Sequence, residues 1–265
     1  MLNTPKKSLG QHFLKCDWVV SALLKAAELK PEDKVLEIGP GTGVLTRALA
    51  KHTKEVIAVE KDEKLAEELE KSLKKEKVGN VKIIKGDILK ILPDVKNFKV
   101  VANIPYYLTS RLLRTLLEKG PRPNLIVLTI QKEVAQRITA QPPKMSLLAL
   151  SVQTFGRPEI IKIVPASCFW PKPKVDSAII KIINLSENFF TENGLNIKRF
   201  FLIAKTAFGQ KRKLLTGSLA KITPKGSLQQ VLKEAGINPK TRPEELDLNQ
   251  WAKIVIGIKK IPAKP

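Results

Sequence analysis

Three short segments of this chain combine residue types and spacings that could do chemistry. The first is Glu37-Ile-Gly39-Pro-Gly41-Thr-Gly43. Its glycines permit a tight turn and a close approach of backbone to a ligand. A second acid, Glu60, follows 21 residues after Gly39, a spacing that suits a carboxylate gripping ribose hydroxyls. A dinucleotide site has similar parts. Its G-x-G-x-x-G pattern fails at Val44, however, and Glu37 is poorly placed for a pyrophosphate. An acid-lined pocket suits instead a cationic cofactor such as S-adenosyl-L-methionine, which carries a sulfonium and an amino group. The second segment is Gly86-Asp87-Ile88, whose carboxylate could accept from an adenine amine or cap a helix. The third is Asn103-Ile104-Pro105-Tyr106. An exocyclic base amine is a poor nucleophile because its lone pair is delocalised into the ring. The Asn103 oxygen and the Ile104 carbonyl could accept both amine protons and localise that pair, while Tyr106 stacks on the extruded base. Alone, such a tetrapeptide is also an ordinary turn.

The elements around these segments must place them at strand ends. Apolar runs at Lys34–Ile38, Val56–Glu60, Val81–Ile84, Lys99–Ala102 and Leu125–Ile130 read as strands. Helical patterns separate them: one capped by Asp17, then 44–52, 61–77 and 110–118. Alternation of this kind predicts an α/β fold with a mostly parallel sheet and helices on both faces. Ile160–Val164 and Ala178–Ile183 follow without an intervening helix and predict an antiparallel pair at the sheet edge. After about residue 185 only helical patterns remain: 200–208, 211–219, 228–235 and 250–258. The expected organisation is therefore one domain over 1–188, with a basic N-terminal segment as a lid, and a small helical domain over 189–265.

Composition narrows the function classes. The 265 residues carry 47 Lys/Arg against 25 Asp/Glu, a net charge of +22, while 43% are hydrophobic. That describes a folded protein with a polyanionic partner, either nucleic acid or an anionic membrane. Adaptation to heat also enriches lysine, but it enriches glutamate alongside. The surplus is uneven: residues 190–265 hold 15 Lys/Arg against 5 Asp/Glu. Two histidines, His12 and His52, and two distant cysteines, Cys16 and Cys168, argue against a metal site and against a disulfide scaffold. No signal peptide is visible and no apolar run reaches 18 residues, so the expectation is a soluble protein of a reducing compartment, the cytoplasm.

Taken in order, Ser8-Leu-Gly-Gln-His-Phe-Leu14, Glu37–Gly43, Gly86–Ile88, Asn103–Tyr106 and Phe169-Trp-Pro-Lys-Pro-Lys-Val-Asp-Ser177 resemble the ribosomal RNA small-subunit adenine N6,N6-dimethyltransferase family (KsgA type). The resemblance spans the chain, including Thr241-Arg-Pro-Glu-Glu-Leu246. It implies a Rossmann-like methyltransferase domain followed by a helical RNA-binding domain. It also implies transfer of methyl groups from S-adenosyl-L-methionine to two adjacent adenosines in a hairpin loop near the 3′ end of small-subunit RNA, during small-subunit biogenesis. The cofactor would be bordered by Gln11, His12, Leu14, Glu37, Gly39, Gly41, Glu60, Lys61, Asp87, Ile88 and Asn103. Glu60 would take the ribose hydroxyls, Asp87 the adenine amine. Asn103, Pro105, Tyr106 and Phe169 would form the reaction site, with Phe169 against the second face of the target base. Many members carry Asn where this chain has His12. Lys6, Lys7, Arg111, Arg114, Lys172, Lys174, Lys211, Arg212 and Lys213 are the candidate RNA contacts, and a monomer working on a pre-ribosomal particle is expected. Two other readings remain open: an adenine methyltransferase for large-subunit RNA (the erythromycin-resistance type), and a non-enzymatic assembly factor on the same fold.

Overall fold

The computed structural model describes residues 5–6, 9–118, 120–210 and 213–259. Of the candidate RNA contacts, Lys7, Lys211 and Arg212 lie outside the described residues. The chain divides into two compact units, residues 1–136 with 157–185, and residues 137–156 with 186–265.

In the first unit, β1 (Phe13–Leu14) leads into α1 (Asp17–Ala27), which buries Val19, Val20, Leu23, Ala26 and Ala27. There follow β2 (Lys34–Ile38), α2 (Val44–Ala50), β3 (Glu55–Glu60), α3 (Glu63–Lys75), β4 (Val81–Lys85), β5 (Phe98–Asn103), α4 (Thr109–Glu118), β6 (Leu125–Gln131) and α5 (Lys132–Ile138). Beyond α6 (Leu147–Gln153) come β7 (Arg157–Val164), β8 (Phe169–Trp170) and β9 (Ser177–Ile183). Seven strands form one sheet in the order β4-β3-β2-β5-β6-β9-β7. The first five are mutually parallel, whereas β9 runs antiparallel to both β6 and β7. Ile126 to Ile130 of β6 are fully buried on both faces, which is why this strand reads as an unbroken apolar run. On the solvent-facing α3, Leu65, Ala66, Leu69 and Leu73 form a buried stripe at helical spacing between charged residues.

Strand order reverses between β2 and β5, because β2 continues through α2 to one neighbour, β3, while β5 lies on its other side. A crevice at the carboxyl ends of the strands is expected at such a switch point. It is there that Gly39, Glu60, Gly86 and Asn103 leave their strands.

Two expectations need correction. Cys16 and Cys168 are bonded to each other, with Cα atoms 5.1 Å apart. The cause is a contact the sequence does not advertise. β1 pairs antiparallel with β8, Phe13 opposite Trp170 and Leu14 opposite Phe169, so the cysteines that flank the two strands face each other. Helices α5, α6 and α7 (Asn188–Glu192) also lie outside the elements expected from the sequence.

The second unit holds α6, α7, α8 (Ile197–Phe208), α9 (Leu215–Leu219), α10 (Lys225–Glu234) and α11 (Leu248–Lys259). Residues 137–156, expected with the sheet domain, pack here. The ring of Phe155 lies 5.0 Å from that of Phe190 and 6.1 Å from that of Phe201, and the Met145 N–H donates to the Glu244 carbonyl at 3.0 Å. Trp251 is fully buried, with its ring 5.6 Å from that of Phe208. Burial of such large rings is the main stabilising term open to a domain this small.

Candidate functional site

The crevice is a partly open pocket lined by Gln11, His12, Leu14, Glu37, Gly39, Gly41, Glu60, Lys61, Asp87, Ile88, Asn103 and Pro105 among others. Residues spread over 95 positions of chain thus share one wall system, because four strand ends and the N-terminal segment converge there.

The glycine turn is shaped by backbone demands. Gly41 (φ 55°) and Gly43 (φ 79°) occupy the left-handed region. A Cβ on Gly41 would lie 2.9 Å from the Phe13 ring, and one on Gly43 would collide with Leu69 of α3. The turn then points its amides usefully: the Gly41 N–H donates to Glu60 Oε2 at 3.0 Å, and the Asp62 N–H to Glu60 Oε1 at 2.9 Å. Burial raises the Glu60 carboxyl, and these two amides oppose the rise.

Glu37 is 1% exposed, and its Oε2 has no hydrogen-bond partner among the described residues. Burial pushes its carboxyl up to about 8. Asp87 behaves differently. Burial works to raise it, but the Leu89 N–H on Oδ1 (3.0 Å) and the Lys61 ammonium on Oδ2 (3.0 Å) hold it below its ordinary value. Lys61 is accordingly an ion-pair partner at the rim. Gln11 and Lys6 brace the N-terminal segment onto Asp62: Lys6 Nζ lies 2.9 Å from Oδ1, and Gln11 Nε2 donates to Oδ2 at 3.2 Å. Lys6, expected as an RNA contact, is half exposed and pairs with Asp62 at the surface.

At the end of β5, Asn103 Nδ2 donates to the His12 carbonyl at 2.9 Å, which leaves its Oδ1 as the acceptor. The His12 ring lies 5.5 Å from the Tyr106 ring, 25° from parallel, and its Nδ1 donates to the Pro171 carbonyl at 2.6 Å. Tyr106 starts a 3-10 turn (Tyr106–Leu108) behind Pro105, and its hydroxyl is 2.7 Å from Ser177 Oγ. Burial raises its phenol and the Ser177 bond opposes that rise.

Phe169 is not at this site. It is 2% exposed and packs in the core with Val19, Leu23 and Val127, so its ring offers no free face for the stack expected on the second face of a target base. The reason is strand periodicity: neighbours in β8 point to opposite faces, so Phe169 goes inward and Trp170, 38% exposed, outward. Sequence reasoning missed Phe13 and Tyr107, which also line the cavity. Tyr107 is 53% exposed, and its place directly after the reactive tetrapeptide was the available signal. Arg111, Arg114, Lys172, Lys174 and Lys213 are exposed, and Arg114 pairs with Glu118 at 3.2 Å.

Comparisons with known proteins agree on one family. The family model "Ribosomal RNA adenine dimethylase" matches residues 2–260. The chain is 43% identical over 253 residues to the ribosomal RNA small subunit methyltransferase A of Dehalococcoides mccartyi (strain ATCC BAA-2266), covering 93% of this chain and 86% of that protein. It is 40% identical over 270 residues to the protein of the same name from Nostoc sp. (strain PCC 7120), covering 94% and 96%. Among solved structures, a dimethyladenosine transferase from Plasmodium falciparum superposes with a TM-score of 0.81 at 29% identity, covering 94% of this chain and 98% of that one. The 23S rRNA methyltransferase ErmE superposes at 0.71 with 26% identity, covering 94% and 100%. Both carry the Rossmann-like sheet with a helical C-terminal part.

Proposed function

The chain belongs to the ribosomal RNA adenine dimethylase family and is an adenine dimethyltransferase of small-subunit ribosomal RNA; we propose that it works on two adjacent adenosines near the 3′ end of that RNA, with S-adenosyl-L-methionine in the cavity below Asn103. The observation that carries this reading is the hydrogen bond of Asn103, whose amide N–H is committed to the His12 carbonyl, which leaves Oδ1 as the acceptor for a target amine.

The residues of the cavity fit that cofactor. An unpartnered, buried carboxyl oxygen on Glu37 invites a positively charged group, and Glu60 and Asp87 supply acceptors for ribose hydroxyls and an adenine amine. The bound cofactor supplies an electrophilic methyl group on a sulfonium. Asn103 Oδ1 and the Ile104 carbonyl accept from the target N6 amine, which turns its lone pair out of the ring and toward the methyl. Tyr106 holds the base by its face. Orientation of this kind is worth up to about 7–11 kcal/mol of barrier when the geometry is near attack. The helical unit, dense in Lys and Arg, grips structured RNA in this reading. The protein acts as a monomer in the cytoplasm, on a pre-ribosomal small subunit.

Methyl-label transfer measured on naked RNA, small subunits and large subunits tests the target. Label on small-subunit adenosines is expected; label confined to the large subunit would sink the reading. Asn103→Ala is expected to lower kcat by about 100-fold or more while leaving RNA affinity within a few-fold of wild type. Full activity in that variant would remove Asn103 from the reaction.

A further inference from the structure

The Phe169–Ser177 segment ends on a serine that none of the roles above uses. Ser177 opens β9, is fully buried, and is in register with Gln131 of β6 on one side and Val164 of β7 on the other. Its backbone is therefore fixed by the sheet from both sides. Its Oγ, 2.7 Å from the Tyr106 hydroxyl, carries that fixed position to the far end of the tyrosine ring. A tyrosine side chain turns about two torsions, and anchoring its hydroxyl removes freedom in both. The His12 ring, held through Nδ1 to the Pro171 carbonyl, packs against the Tyr106 ring at 5.5 Å. Edge and ring are thus both held before any base arrives.

We propose that Ser177 is a positioning residue for methyl transfer: its hydroxyl anchors the Tyr106 phenol and presets the plane on which the target base stacks. A preset platform spares the complex the loss of rotamer freedom that a free tyrosine would suffer on stacking. It also holds the base at a constant height against Asn103, where small displacements cost rate. The proposal rests on the reading that the target adenine stacks on Tyr106.

The test uses the full chain with Ser177→Ala, Tyr106→Phe and the double variant. Tyr106→Phe keeps the ring and loses only the anchor. Each single variant is expected to lower kcat about three- to tenfold, with cofactor affinity unchanged by calorimetry. The double variant should be no slower than the slower single, because both remove the same bond. A spectroscopic readout is also open, since the chain has only two tyrosines, Tyr106 and Tyr107. Loss of the Ser177 bond should move the Tyr106 ionisation, followed by ultraviolet absorbance, to higher pH. Wild-type kcat in Ser177→Ala, or losses that multiply in the double variant, would overturn the proposal. Tyr106→Ala separates the two ideas. Its inactivity alongside a fully active Ser177→Ala defeats only the anchor, whereas its full activity defeats the stacking itself.

Discussion

Glu37 ends up at the carboxyl end of β2 with one oxygen unpartnered and almost no exposure. With its carboxyl pushed up to about 8 by burial, it keeps its proton at neutral pH. In the unfolded chain the same group ionises in the ordinary carboxylate range. Between those limits the folded state binds more protons than the unfolded state, so stability falls as pH rises toward and through about 8. Glu37→Gln keeps the shape and removes the titration. It is expected to be more stable than wild type by roughly 1–3 kcal/mol at pH 8, with the gap closing toward pH 5, in urea unfolding at both values. The same variant should bind S-adenosyl-L-methionine more weakly by calorimetry, because a cation favours the ionised carboxylate that glutamine cannot form. A variant with neither effect would show that this carboxyl does not govern the pocket. The fold thus holds an acid where a hydrophobic residue would be more stable, and the stability cost is consistent with a binding role.

At the scale of elements, the strap formed by β1 and β8 connects the cavity wall to the core. His12, Phe13 and Leu14 line the cavity, Phe169 fills the core, and the Cys16–Cys168 bond closes the arrangement on one flank. A link between residues 152 positions apart removes much conformational freedom from the unfolded chain. Reduction, or Cys16→Ser, is expected to lower the unfolding free energy by about 2–4 kcal/mol, read from denaturant curves with and without a dithiol. Two reactive thiols on the denatured, unreduced protein would contradict the bond. Nothing in the local sequence pointed to this strap. Each of its strands is two residues long, and periodicity needs a longer run to show itself. The parallel strands, by contrast, were legible because burial on both faces leaves an unmistakable apolar run.

For the whole molecule, the net charge of +22 sets the scale of attraction to a polyanion. Some of the 47 basic residues pair with acids already subtracted in that sum: Lys6 with Asp62, Lys61 with Asp87, Lys99 with Asp33, Arg114 with Glu118. Arg111, Lys172 and Lys174 are exposed and form no ion pair among the described residues. If such groups contact phosphates, log affinity for the RNA should fall with log salt by about 0.7–0.9 per phosphate neutralised. A slope of about −4 or steeper is expected between 50 and 300 mM salt, consistent with roughly five contacts or more. A flat titration would place the surplus charge outside the interface and return heat adaptation as its explanation.

By itself the sequence determined the sheet elements, the glycine turn, the acids at strand ends and the Asn-Ile-Pro-Tyr segment that follows β5. Those properties are local: a strand's burial, a turn's φ angles and an amide's hydrogen-bonding capacity are written into neighbouring residues. Tertiary structure alone decided that Phe169 faces the core, that Cys16 meets Cys168, that residues 137–156 join the C-terminal helices, and that Ser177 and His12 hold Tyr106. Each of these depends on which distant segment supplies the partner surface. A contact between segments so far apart in the chain is set by the summed packing of the core around it, which no window of sequence contains.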